Sequence, residues 1–320
     1  KKNVLTSQIL ELLNQILFSP LANAGEFEQN IFEIEQKQLI ARLESELEDP
    51  FFFAHKELDQ LYFQEPAMQL VPKDLISRIS KETPKSSFSS FQKMLKEDKV
   101  DIFFLGDFNE IEIREHLEKY SFTGRQQDVK IQYHQPYSNI LNESFLRKNL
   151  GQSILEMGYH SSIGYGDEGQ LAMLLVNGLL GAFPHSKLFT EVREKEALAY
   201  TVSSHLDLFS GRLRLFAGID RKNRNKVRKL MNEQLVAIKK GEFSDIEIHQ
   251  TKKMIKRSLL LSKDNQDSII DREYLSQFFG KLGLDIHTLI EKLEQVEKEE
   301  ICEAAGSLRL QAIYFMEGLE

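Results

Sequence analysis

The chain has 320 residues, 41% of them hydrophobic and 28% charged, and a formal net charge of −8. That is the make-up of an ordinary globular protein long enough for two domains, each with its own core. The acidic balance speaks against nucleic acid or an anionic membrane as partner. A lone cysteine, Cys302, excludes an internal disulfide framework and a cysteine-based zinc site, and reads as a small buried helix residue.

Residues 5–18 carry apolar side chains at helical spacing and stop before Pro20. A longer helix rich in Glu and Gln follows over 27–47, and Pro50 opens a third through Phe63. Thr83-Pro84 is an N-cap with proline at the first helical position, starting a helix that runs to about Leu95. Val100 to Leu105 reads as a buried strand, after which Asn109 caps a helix to Tyr120. The polar run 123–127, containing Gly124, is the expected domain boundary, giving domains 1–125 and 126–320. In the second, 153–159 is a strand, and 170–180 and 186–195 are helices. Residues 199–206, the turn Phe209-Ser210-Gly211, and 212–219 form a β-hairpin. Helices over 222–240 and 244–261 follow, the second opened by Ser244 and Glu247 at capping-box spacing. A last helix pair leads into a final apolar strand. Hairpins with long helix pairs predict an α+β fold, an antiparallel sheet with helices packed on one face.

The chain also repeats itself. Gly25-Glu26-Phe27 recurs as Gly241-Glu242-Phe243, KQLIAR at 37–42 as KKMIKR at 252–257, and Tyr62-Phe63 as Phe278-Phe279. Matches in one order at one offset indicate two homologous copies of the α+β domain. If the second copy begins near Asp128, 113 residues precede Gly241 but only 24 precede Gly25. The first copy is then expected to lack about 89 residues at its front, the difference of those two counts.

For chemistry, the eight histidines come no closer than 18 positions, so no helical zinc pair and no HxxEH occurs. Gly164-Tyr-Gly166-Asp-Glu-Gly169 matches GxGxxG between a strand and a helix. Asp167 and Glu168 would however put two carboxylates where a pyrophosphate must lie, so a dinucleotide-binding enzyme is only a remote alternative. Arg193 near a helix end and Tyr200 near the start of the next strand could jointly donate hydrogen bonds to peptide carbonyls. By spacing alone the ordinary alternative is a solvated Arg193 and a core Tyr200, Tyr200 sharing a strand face with Val202, Ser204 and Leu206.

The run LFTEVREKEALAYTVSS followed by FSGRLRLFAGID closely resembles the second domain of the pitrilysin- and insulinase-like metallopeptidases, a group that includes the mitochondrial processing peptidases. LLVNGLLG and KVDIFFLGDF fit the same resemblance. It implies paired α+β domains forming half of a clamshell around a peptide, with Arg193 and Tyr200 as substrate-binding residues beside a zinc site. The zinc motif HxxEH of that family would lie ahead of Lys1. A third ligand, a glutamate, is expected in the helix 27–47 in the pattern E-x6-E. Here Glu35 matches the first position and Arg42 stands at the ligand position, as Arg257 does in the second copy. Arginine stays protonated and cannot ligate zinc, although a register shifted by two would present Glu44.

The resemblance, with Arg42 at the ligand position, implies a non-catalytic bacterial subunit of a zinc peptidase-like complex, of the subgroup associated with elongation factor P modification; with no run of about 20 apolar residues, a cytoplasmic protein is expected. No catalytic residue, metal or cofactor is expected in the chain. Its partners would be a zinc-bearing homologous chain, or a second copy in a homodimer, and a peptide. The alternative is an active zinc metalloendopeptidase whose HxxEH precedes Lys1.

Overall fold

The computed structural model describes residues 2–122, 124, 129–279 and 285–319. The expected boundary at 125/126 lies outside the described residues. The chain forms two compact units. One comprises Lys1–Glu46 and Pro72–Lys130, the other Leu47–Val71 and Ile131–Glu320.

The first half of the chain runs α1 (Lys2–Phe18), β1 (Ala22–Asn23), β2 (Glu26–Phe27), α2 (Gln29–Glu48), α3 (Pro50–Tyr62), α4 (Pro72–Ile79), α5 (Pro84–Glu97) and α6 (Glu110–Leu117). The first unit is built from these helices except α3. Ala24 and Gly25 join β1 to β2 with φ of 53° and 85°, the left-handed pair that a two-residue hairpin turn demands. Thr83 and Ser86 cap α5 reciprocally, and Asn109 accepts from Ile111 to cap α6. α1 and α6 are joined by the Tyr120 hydroxyl donating to Leu10 O at 2.7 Å, and Phe18 lies edge-on to Tyr120 and Phe122. Val100 to Leu105 does not form the expected buried strand. It is irregular, and Val100, Ile102 and Leu105 are 37–44% exposed. A strand exists only in a ladder. Among the described residues no strand pairs with this run.

The second unit contains a five-stranded sheet of β3 (Asn142–Lys148), β4 (Ser153–His160), β5 (Ala199–Asp207), β6 (Arg212–Ile219) and β7 (Arg309–Gly318) in the order β3-β7-β4-β6-β5. All pairs are antiparallel except β3 with β7. The helices of this half are α7 (Gln170–Asn177), α8 (Arg224–Lys239), α9 (Asp245–Leu261), α10 (Gln266–Phe279), α11 (Ile286–Gln295) and α12 (Lys298–Ser307). Ser244 and Glu247 form the expected capping box of α9.

Strand alternation divides the sheet between two cores. Leu155, Met157, Leu213, Leu215, Ile313 and Phe315 are buried against Met231 and Leu235 of α8 and Ala305 of α12. Ile154, Ala312, Tyr314 and Met316 point the other way and bury Ala54, Leu58 and Tyr62 of α3. So a helix from the first 71 residues belongs to the second unit and covers the other face of its sheet. Asp49 caps it by accepting from Phe51 and Phe52 N–H, and Pro50 fills its first position. Gly158 makes room for it: a Cβ there would stand 2.9 Å from Tyr62 Cδ2. The Tyr62 hydroxyl donates to Gly211 O at 3.2 Å.

Candidate functional site

Arg193 sits on a π-type helical stretch, Leu188–Lys195, whose wide turns follow a second one at Gly178–Ala182. Such turns are rare and recur at functional sites. The stretch ends with Glu196 N–H donating to Glu191 O at 3.2 Å and Leu198 N–H to Val192 O at 3.0 Å. Between them Ala197 takes φ 50°, a left-handed backbone that costs an alanine about 1–2 kcal/mol. The Arg193 guanidinium lies 4.7 Å from the centre of the Phe189 ring, one turn earlier. Its neighbours are matched, Lys195 with Glu191 and Lys226 with Glu196, both at 2.6 Å. Among the described residues Arg193 has no carboxylate within ion-pair distance.

Tyr200 is not on the buried face of β5. Ala199 pairs with Ile219 and Thr201 with Gly218, so the register skips Tyr200 as a bulge. Val202 and Ser204 are buried, while Tyr200 is 69% exposed. Alternation counted from Val202 gave the opposite side because it assumed an unbroken pleat. The strained turn at Ala197 and the bulge at Tyr200 thus set two exposed donors at the entry to the edge strand.

On α2, Glu35 and Arg42 line one cavity of about 460 Å³ with Gln36, Ile79 and Glu82. Arg42, Glu35 and Glu44 are all exposed. A guanidinium offers no lone pair to a metal, so this helix does not fit a zinc ion in the register read from the repeat. Among the described residues no group of three or more His, Cys, Asp and Glu side chains could hold a metal.

The glycine loop 164–169 is closed on itself. Gly164 N–H donates to Asp167 Oδ2 at 2.7 Å, Gly166 N–H to Gln170 Oε1 at 2.9 Å and Tyr165 N–H to Leu208 O at 3.0 Å. His134 fills the space beside Gly164, where a Cβ would stand 2.1 Å from its Nε2. The N–H groups of Gly164, Tyr165 and Gly166 are thus already engaged and not turned to a pyrophosphate.

A charged cluster that the motif reading passes over lies beneath α3. Arg212 of β6 is ion-paired with Asp59 and stacks on Phe63 at 4.8 Å. His55 Nε2 lies 3.1 Å from Arg212 Nη2 and 3.3 Å from Asp59 Oδ1. Burial alone would push the Asp59 carboxyl up, but the His55 hydrogen bond and the Arg212 charge hold it well below the usual carboxylate range. On the same face Glu156 is fully buried, with Arg214 Nη1 3.4 Å away. Burial pushes Glu156 up to about 8 against the pull of Arg214 and Arg212. Burial, then the charges of Arg214 and Arg212, lower His205. The available signal was the alternation of Arg212 and Arg214 with Leu213 and Leu215, which marks a sheet face that is charged rather than merely wet.

A family profile described as "Peptidase M16 inactive domain" matches residues 83–255. The Bacillus subtilis (strain 168) protein named "Probable inactive metalloprotease YmfF" is 28% identical over 97% of this chain and 73% of its own length. A solved structure of a conserved protein from Enterococcus faecalis V583 is 39% identical with a TM-score of 0.94, over 98% of this chain and 74% of that one. The structure of a peptidase M16 inactive domain from Pseudomonas fluorescens shares the fold at 14% identity, with a TM-score of 0.74 over 98% of this chain and 75% of that one. With more than half of its residues inside the profile, the chain belongs to the peptidase M16 inactive-domain family, as an inactive-metallopeptidase homologue.

Proposed function

We infer that the protein is a non-catalytic subunit of a zinc-peptidase-like complex, lending Arg193 and Tyr200 to a peptide held against a zinc-bearing homologous chain. The observation that carries this reading is the pair itself. Two exposed donors, Arg193 and Tyr200, flank a turn whose backbone is strained. Strain of this kind persists where surrounding structure over-determines it, and a binding role gives it a use. Arg42 supports the non-catalytic half of the reading, because it stands where the resemblance expects a ligand.

In this reading the guanidinium rests 4.7 Å from the Phe189 ring centre and the Tyr200 backbone is flanked by the paired residues Ala199 and Thr201, which limits the freedom either donor loses on meeting a peptide carbonyl. The test is to purify the protein with an HxxEH-bearing homologue and assay peptide cleavage by each chain and by the pair. Cleavage is expected only from the pair, falling about 10²–10³-fold in Arg193→Ala or Tyr200→Phe if the donor acts on the transition state. Chelator-sensitive turnover by the single chain would overturn the non-catalytic reading in favour of an active metalloendopeptidase.

A further inference from the structure

The two edges of the five-stranded sheet are protected unequally. Beside β5 lies the wide turn Gly178–Ala182. Ser203 Oγ donates to Gly181 O at 3.0 Å, and a Cβ on Gly181 would stand 2.7 Å from Ser204 N. At the opposite edge β3 pairs with β7 along all seven of its residues and turns its other side outward. Phe145 and Leu146, at the middle of this strand, are 42% and 37% exposed. An edge of this length with central apolar residues is a template for another strand unless something covers it.

We propose that β3 pairs with β3 of a second copy of this chain, antiparallel, with a two-fold axis through Phe145. The strand is self-complementary about that residue. A two-fold axis normal to the sheet keeps each face on its own side, so residues of like parity meet. Among such registers only the one centred on Phe145 sets Glu143 of each copy opposite Arg147 of the other. Neighbouring even registers put Glu143 or Arg147 opposite Phe145 instead.

The side chains are already arranged for it. Glu143 is held by Arg228 of α8 at 2.7 Å, and Arg147 by Glu317 of β7 at 2.8 Å. Phe145 stacks on Phe315 at 5.9 Å, with Arg147 and Arg224 each 5.4 Å from its ring centre. Pairing would continue these contacts across the axis. Ring would meet ring, and each Glu143 would lie between Arg228 of its own copy and Arg147 of the other, favourable cross-strand pairs. Two seven-residue strands bury less than a standard interface, so the dimer belongs to the weak, concentration-dependent class. The proposal does not rest on the reading of Arg193 and Tyr200.

The test begins from Cys302→Ser, which removes the one thiol. Sedimentation between about 1 and about 100 µM, the range of weak interfaces, should give a reversible dimer. On the two-fold axis cysteines at position 145 face each other with Cα atoms about 4.5–5.5 Å apart, within disulfide reach. Phe145→Cys should therefore oxidise to a covalent dimer, at least about tenfold faster than Ser144→Cys, which faces Leu146. Arg147→Glu sets two carboxylates opposite each other and should abolish the dimer while circular dichroism remains unchanged. A monomer throughout, equal cross-linking at 144 and 145, or a dimer indifferent to Arg147→Glu would each overturn the proposal.

Discussion

Glu156→Gln should remove a pH dependence of stability that the fold builds into β4. Glu156 is fully buried, its strand neighbours in register are Phe216 and Tyr314, and Arg214 approaches no closer than 3.4 Å. Burial therefore outweighs the arginine charges and raises the carboxyl from an ordinary 4.5 to about 8. A raised folded-state value stabilises the fold in the protonated form. That contribution is fully present below pH 4.5, erodes as the unfolded chain ionises, and is gone above about pH 8. Each unit of difference is worth about 1.4 kcal/mol, so between pH 5 and 8.5 this one group should cost on the order of 4 kcal/mol. Glutamine keeps the shape and cannot ionise. Urea unfolding followed by circular dichroism, at both pH values, gives the two slopes. Histidines lowered by burial, such as His55 and His160, titrate in both proteins, so the difference between wild type and variant isolates Glu156. Wild type should lose about 4 kcal/mol more than Glu156→Gln across this interval. Parallel pH profiles would refute the reasoning, because they would mean that Glu156 is ionised and fully paired at neutral pH.

Asp59→Asn should destabilise the second unit by about 3–5 kcal/mol, because it leaves the buried Arg212 guanidinium without its carboxylate, and denaturant titration at pH 7 measures it. Its stability share is lost as pH falls through the acid range, since the Asp59 value is depressed, so wild type and variant should converge in acid. Ala197→Gly should raise stability by about 1 kcal/mol, read as an upward shift of the unfolding midpoint, because glycine carries φ 50° without the Cβ penalty. Arg193→Ala and Tyr200→Phe should each change stability by no more than about 0.5–1 kcal/mol, since both side chains are exposed; severe unfolding in either would return them to a structural role.

What the sequence made legible is what is decided locally. The caps at Thr83, Asn109 and Ser244 each depend on a few neighbouring residues and stand where the side chains called for them. The hairpin of β5 and β6 likewise follows from alternation on either side of Phe209-Ser210-Gly211. Strand 100–105 was misread because an apolar run has no ladder of its own. Tyr200 was assigned to the wrong face because a single bulged residue inverts the count. Glu156 is the clearest case. One glutamate in SILEMGYH reads as an outward-facing position on a half-wet strand, and only the arrival of α3 over that face makes it buried. That helix ends at Tyr62 and β4 begins at Ser153, so the 90 residues 63–152 separate them, and nothing in the helix's own pattern names the sheet it covers. The same packing that hides Glu156 lines α3 with Asp59 and His55 facing Arg212. The charged cluster and the covering helix are therefore one feature, and charge placed within two sheet strands is what fixes where the apolar face of α3 must sit. Apolar packing of Ala54, Leu58 and Tyr62 alone is non-directional, whereas the Asp59–Arg212 pair adds a directional contact near the C-terminal end of the helix.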